Sequence, residues 1–352
     1  MSPLAPVFKS LGADLARLTE RRGRRVEVGS LGVTDRTGQL ELGPAGGRIS
    51  PNGACRLFRA ADGWMALNLA REEDDDLVAA WLACEPATDP WAAVAEHAPR
   101  RASAELVERA TLLGLPAARV GEVRADAPDP PRRRLAPGRA RRAEPLRVLD
   151  LSALWAGPLC GAVLAAMGAE VTRVDSLRRP DPTAQTTPEL FRRLNAAKAS
   201  LPLDLGAPED QARLRAEIAR VDVLITGFRP RAMASLGLET GATFETNPGL
   251  VWVAITGYGW TGPEAQRVAF GDDAAAAGGL LARTPGGEPR FLGDALADPL
   301  TGLAATVAAL QALEEGGGQL VDAALARCAA GAAARLRACD PVPTAPGPPV
   351  RS

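Results

Sequence analysis

Residues 146–175, LRVLDLSALWAGPLCGAVLAAMGAEVTRVD, narrow the fold more than any other part of the chain, because they read as strand, tight turn, helix and second strand. Residues 148–151 form a short apolar run, and Ala156-Gly157-Pro158 interrupt it. Residues 159–167 then carry small and apolar side chains at helical spacing until Gly168 stops them. Residues 170–174 alternate as a strand does and lead to Asp175. In a doubly wound sheet ligands bind beyond the carboxyl ends of the strands, so the turn and Asp175 both fall on the expected binding edge. The turn has no G-x-G-x-x-G, and an NAD pyrophosphate site is not indicated.

The alternation continues as strand 148–151, helix 159–167, strand 171–174, helix 188–195, strand 201–205, helix 208–219, strand 221–226, helix 230–236 and strand 250–256. Parallel strands with helical crossovers follow from that order, which gives an α/β class. Pro208-Glu209-Asp210 places a proline and two acids in a first helical turn, where the missing N–H is harmless and negative charge suits the dipole. Ahead of this, residues 1–123 read as a smaller α+β domain. It has a charged helix over 11–22, GPAGG at 43–47, a hairpin turning at Asp62-Gly63, amphipathic helices over 77–82 and 104–113, and a short strand in GLPAARV. Residues 124–145, rich in Pro and Arg and containing Arg132-Arg133-Arg134, are expected to be a solvated linker. The large domain is expected over 146–335 and a disordered Pro-rich tail over 336–352.

At 352 residues, 46% hydrophobic and 24% charged, the chain is long enough for two cores. A formal charge of −1 gives no overall attraction to nucleic acid or an anionic membrane, and the arginine run has no base-reading neighbours, so neither is an expected partner. No stretch approaches the roughly 18 apolar residues of a membrane span, and the start lacks a basic segment followed by an apolar one; a cytoplasmic location is expected. Cys55, Cys84, Cys160, Cys328 and Cys339 form no C-x-x-C pair, so neither a disulfide framework nor a metal site is indicated. His97 is the only histidine and lies beside charge in AAVAEHAPRR, the setting of a surface residue rather than of a catalytic base.

The strings DLSALWAGPLCGAVLAAMGAEVTRVD, LNAAKASLPLDL, VDVLITGFRPRAMASLGL, NPGLVWVAITGYGWTGP and LADPLTGLAATVAALQAL, in that order, resemble the class III CoA-transferases, the family that also holds CaiB-type transferases and α-methylacyl-CoA racemases. The resemblance implies an interlocked homodimer of a Rossmann-like large domain and a smaller α+β domain, with no permanently bound cofactor. It implies an acyl-CoA and a carboxylic acid as substrates, with CoA moved through an aspartyl anhydride and thioester. Asp298, in Asp298-Pro299-Leu300-Thr301-Gly302, matches the family's aspartate with a glycine four residues on. Asp294 is the second candidate, and capping of the following helix is the structural alternative for Asp298. A carboxylate is ionised at neutral pH without a base and a thiolate leaves readily, so no histidine is required. Backbone N–H groups over 300–302 are the expected oxyanion donors. The family's CoA contacts carry over to Trp155, Ala156 and Pro158 at the turn, to Arg178 and Arg179, to Leu203, and to Phe228 with Arg231; aromatic and arginine side chains suit adenine and phosphate. The glycine loop that closes over the aspartyl intermediate corresponds to Gly46 and Gly47.

The chain departs from the family pattern in two places. GGRISPNGACRLFRAADGWMALNL and the helices after it resemble the family's smaller domain, yet they precede the catalytic part, an apparently permuted order. RVAFGDDAAAAGG has no histidine where the racemases carry one: Phe270 lies near that position, and Asp272 and Asp273 read as helix caps or as an acid and base. Two alternatives to a transferase follow, a catalytically inactive CoA-binding paralogue or partner subunit, and a 2-methylacyl-CoA racemase. Tyr258, at a strand end, reads as a packing residue.

Overall fold

A computed structural model describes residues 4–38, 40–125, 129–139 and 145–339. Helix α1 (Ala5–Glu20) has proline in its first turn and buries Val7, Leu11, Leu15 and Leu18 along one stripe. The stripe joins the core of the large sheet rather than that of the first region, packing on the helix Ala297–Glu314. The first 123 residues are therefore not one packing unit, because a helical period fixes that a face is buried but not against what. After α2 (Val28–Leu31), strands β1 (Cys55–Ala60) and β2 (Gly63–Asn68) form the expected hairpin, with Ala60 opposite Gly63. Helices α3 (Glu72–Leu82), α4 (Pro90–His97) and α5 (Ser103–Leu113) follow, and β3 (Ala117–Arg119) pairs with β2. Their shared core holds Met65, Leu67, Trp81 and Leu106.

Arg132-Arg133-Arg134, expected as solvated linker, is instead strand β4 (Arg132–Arg134), antiparallel to Gln319, Leu320 and Val321 at the sheet edge. Ladder hydrogen bonds need no apolar side chain, and charged residues are what an edge strand tolerates. Then come β5 (Arg147–Leu151), α6 (Ala156–Ala166), β6 (Glu170–Ser176), α7 (Thr183–Thr186), α8 (Pro188–Asn195), β7 (Ala199–Leu203), α9 (Pro208–Ile218), β8 (Val223–Thr226), α10 (Pro230–Ser235), α11 (Thr240–Thr246) and β9 (Val251–Thr256). The predicted strands and helices of this stretch are all present. The chain finishes with α12 (Gly271–Ala277), the hairpin β10 (Leu281–Arg283) and β11 (Pro289–Phe291), α13 (Ala297–Glu314), β12 (Gln319–Ala324) and α14 (Leu325–Cys339). Residues 336–339, expected in a disordered tail, end α14; the remainder of that tail, like residues 126–128 and 140–144 of the expected linker, lies outside the described residues.

The large sheet has the order β4-β12-β9-β8-β5-β6-β7, and all its pairings but the first are parallel. Among the parallel strands alone, the third, second and first in the chain are followed across the sheet by the fourth, fifth and sixth, the doubly wound order with its switch point between β5 and β8. Val148, Val223, Ile225 and Val253 face one layer with α1, α6 and α13, while Leu149, Leu224, Trp252 and Ala254 face the other with α9, α10 and α11. Burial on both faces explains why β8 and β9 are apolar almost throughout without alternation. Helix α12 packs on β2 and β3, which ties the small sheet to the large one. No helix of the described residues is long and apolar enough to cross a membrane.

Candidate active site

At the switch point, β5 ends on Leu151 and the chain turns through Ser152, Ala153 and Leu154 into α6. Leu154 holds φ at 68°, a left-handed conformation unusual for a branched residue, and its N–H donates to Asp181 Oδ2 at 3.1 Å. Gly157 is required here, since a Cβ would lie 2.2 Å from Ser152 Oγ. Beneath the turn, buried Lys198 Nζ donates to Asp150 Oδ2 at 2.7 Å and to the Pro158 carbonyl at 2.9 Å. Asp150 in turn accepts from the N–H and hydroxyl of Ser152. The ion pair thus fixes the strand end to the helix start. Among the described residues the N–H groups of Ala156 and Gly157 have no backbone acceptor, as expected of a helix N-terminus.

Helix α13 approaches the same place. A Cβ on Gly302 would be 2.6 Å from the Ala156 carbonyl, so glycine lets the second turn of α13 touch the start of α6. One turn earlier stands Asp298, inside the helix rather than at its cap, and making no capping bond; the capping alternative is not observed. Nor are the N–H groups expected as oxyanion donors free. Leu300 N–H bonds to Leu296 O at 3.4 Å, and Thr301 and Gly302 lie within the helical ladder.

Four carboxylates gather around this point. Asp294 receives two hydrogen bonds from Arg36, at 2.6 and 2.8 Å, and one from Asn52 at 2.8 Å. Asp272 accepts from Asn52 at 2.6 Å and from the N–H of Ala295 at 2.7 Å, holding Ala295 at φ 44°. Asp273 accepts from Asn68 at 3.1 Å and from the N–H of Phe270 at 2.9 Å, as a first-turn cap of α12. Asp298 alone of the four accepts no hydrogen bond among the described residues, and it opens on a cavity of about 290 Å³. Burial pushes its carboxyl up to about 7, with Arg36 opposing the rise and Asp272, Asp273 and Asp294 adding to it. Burial likewise raises Asp272 to about 6 and Asp273 to about 7. The expectation of a carboxylate fully ionised at neutral pH is corrected accordingly: crowding and desolvation keep part of Asp298 protonated there. Asp294, the second candidate, is spent on Arg36.

Of the residues expected at the nucleotide, the structure brings Ala156, Arg179 and Phe228 to the cavity with Asp298. Arg179 and Phe228 also line a neighbouring groove of about 300 Å³ past the ends of β5, β6 and β8. The others stand elsewhere. Trp155 is buried, with its Nε1 donating to the Val33 carbonyl at 2.8 Å and Arg36 stacked 5.0 Å above its ring. Pro158 is buried in α6, and Leu203 is fully buried core of the sheet's second layer. Arg178 is paired with Asp204 at 2.6 Å on the surface. Arg231 is exposed beside the cavity-lining Ala232. Gly46 and Gly47 pair with Phe291 of β11 and do not line the cavity. His97 ends α4 and Tyr258 packs against Arg267, whose guanidinium lies 3.7 Å from its ring. Sequence reasoning missed Arg71, Ser152 and Arg229 on the cavity wall, where Phe270, noted only as near the racemases' histidine position, also stands. Only their places next to strand and helix ends marked them.

The model of the CoA-transferase family III matches residues 144–341. The succinyl-CoA–D-citramalate CoA-transferase of Chloroflexus aurantiacus is 34% identical over 195 residues, 52% of this chain and 48% of that protein. The succinate–glutarate CoA-transferase of Agrobacterium fabrum is 32% identical over 199 residues, 51% of this chain and 50% of its own length. The chain thus spans about half the length of the curated relatives it matches. Among solved structures, a CaiB/BaiF family protein from Brucella suis aligns with a TM-score of 0.51 and 30% identity over 56% of this chain and 57% of that one. A hypothetical protein from Mycobacterium tuberculosis aligns with a TM-score of 0.51 and 31% identity over 56% and 57%. With more than half of its residues matched by one family model, the chain belongs to the CoA-transferase family III.

Proposed function

We propose that the protein moves CoA between an acyl-CoA and a carboxylic acid, with Asp298 holding first the acyl group and then CoA. The observation that carries this is the contrast within the carboxylate cluster. Asp272 and Asp294 accept hydrogen bonds at both oxygens and Asp273 accepts two at Oδ1, whereas Asp298 accepts none among the described residues and is open to the cavity. A desolvated carboxylate is also a better nucleophile once it has lost its proton.

Asp298 attacks the thioester carbonyl and expels CoA thiolate, leaving a mixed anhydride. The thiolate attacks the aspartyl carbonyl, releasing the first carboxylic acid as its anion and forming an aspartyl thioester. The second acid's carboxylate attacks that thioester to give a new anhydride and thiolate. Thiolate attack on the incoming acyl carbonyl frees Asp298 and the new acyl-CoA. Each addition builds negative charge on an oxygen, and the free N–H groups of Ala156 and Gly157 are the donors placed to meet it. Arg179, whose guanidinium has no ion-pair partner among the described residues, and Phe228 suit the phosphates and adenine of CoA at the switch point.

The same reading makes the first region the family's smaller domain placed ahead of the catalytic part, acting within its own chain. Its support is that Arg71 lines the cavity together with Asp298. Incubation with an acyl-CoA, trapping with hydroxylamine and peptide mapping test the proposal: Asp298 is expected to carry the hydroxamate. Binding of CoA without any adduct at Asp298 overturns it.

A further inference from the structure

Arg71 is the one cavity-lining arginine contributed from outside the family-matched residues. Its Nε and Nη2 are held by Asp74, a fully buried carboxylate, and Nη2 also donates to the Gly114 carbonyl at 2.9 Å. Its Nη1 makes no hydrogen bond among the described residues. The guanidinium lies 5.9 Å from the Phe270 ring centroid. Phe270 precedes Gly271, and a Cβ on Gly271 would fall 2.3 Å from Asp298 Oδ2, so the acid, the glycine, the phenyl ring and the guanidinium form one contiguous wall. The other arginines of the cavity do not compete for this role. Arg267 is spent on Glu122, Glu264, Tyr258 and the Ala117 carbonyl, while Arg179 lines the groove past the strand ends and Arg229 follows Phe228 at the switch point.

We infer that Arg71 selects acyl groups carrying a second, distal carboxylate, so that the acids exchanged are short dicarboxylates; this rests on the transferase reading only in placing the acyl group beside Asp298. A pre-locked guanidinium with one free nitrogen costs little ordering to engage an anion, and an acyl chain ending in a methyl leaves that nitrogen without a partner.

Binding in an Asp298→Ala background separates this from turnover. Calorimetric titration with succinyl-CoA and butyryl-CoA is expected to show about 10- to 100-fold tighter binding of the former, the range for a hydrogen bond to a charged group. Because removing Arg71 alone strands Asp74, the comparison is the double change Arg71→Met and Asp74→Asn, checked for native circular dichroism and unfolding temperature. It is expected to bring the two affinities within about 3-fold of each other. If the double variant does not fold, Arg71→Lys, which keeps the charge but not the fork, must shrink the gap. Equal affinities in the Arg71 protein, or a gap that survives these changes, overturns the inference. Missing adduct at Asp298 with the affinity gap intact would instead count against the transferase alone.

Discussion

Replacing Asp298 by Asn is expected to abolish adduct formation and, at high pH, to make the fold more stable. Its carboxyl has an ordinary value of 3.8 and is pushed up to about 7 in the folded chain by burial. Between those values the folded protein keeps a proton that the unfolded chain has released, so stability falls as pH rises through the window and levels off above about 7. At about 1.4 kcal/mol per pH unit the interval corresponds to about 4 kcal/mol. Asp298 opens on a cavity and titrates together with Asp272 and Asp273, so about half of that, on the order of 2 kcal/mol, is the expected gain from the neutral side chain. Urea or thermal unfolding of both proteins measures it. Asp298→Asn should exceed the parent by about 2 kcal/mol near pH 8 and match it near pH 4. A variant that is less stable than the parent near pH 8, or one with the same difference at both ends, refutes the reasoning about the carboxylate cluster.

Two other changes probe the support of the site. Gly271→Ala puts a methyl 2.3 Å from Asp298 Oδ2 and 2.5 Å from the Ala295 carbonyl, so it is expected to cost about 1–3 kcal/mol in stability and about 100-fold in the rate of adduct formation; an unimpaired trapping rate would show that the acid tolerates displacement. Lys198→Met leaves Asp150 buried without its cation and is expected to destabilise by about 3–5 kcal/mol, most of which Asp150→Asn should restore in the double variant. No recovery in the denaturation midpoint would mean that the pair is not the unit that fixes the turn.

Local periodicity carried the strand and helix order from residue 147 to 256 and the hairpin at Asp62-Gly63, because each is set by neighbours within a turn or two; it did not carry the start of α6, where Ala156-Gly157-Pro158, expected as a turn, form the first helical residues, a place that proline tolerates. The place of Asp298 was legible for a different reason: its motif resembles a known pattern and sits at the start of a long apolar helix, and the structure puts it at the cavity. Leu203 marks where that approach fails, since a residue in a resembling segment is core when its strand turns it inward. The sequence by itself determined an α/β class of parallel strands with helical crossovers, and the apolar helix that begins beside Asp298. Tertiary structure alone decided that α1 joins the large core, that three arginines become an edge strand, and that Arg36, Asn52, Asp272 and Asp294 converge on Asp298. Arg36 and Asp294 are 258 positions apart, and no propensity or period links residues across such a separation; only closure of the chain into a core brings their charges close enough, and dry enough, to move one another's protons.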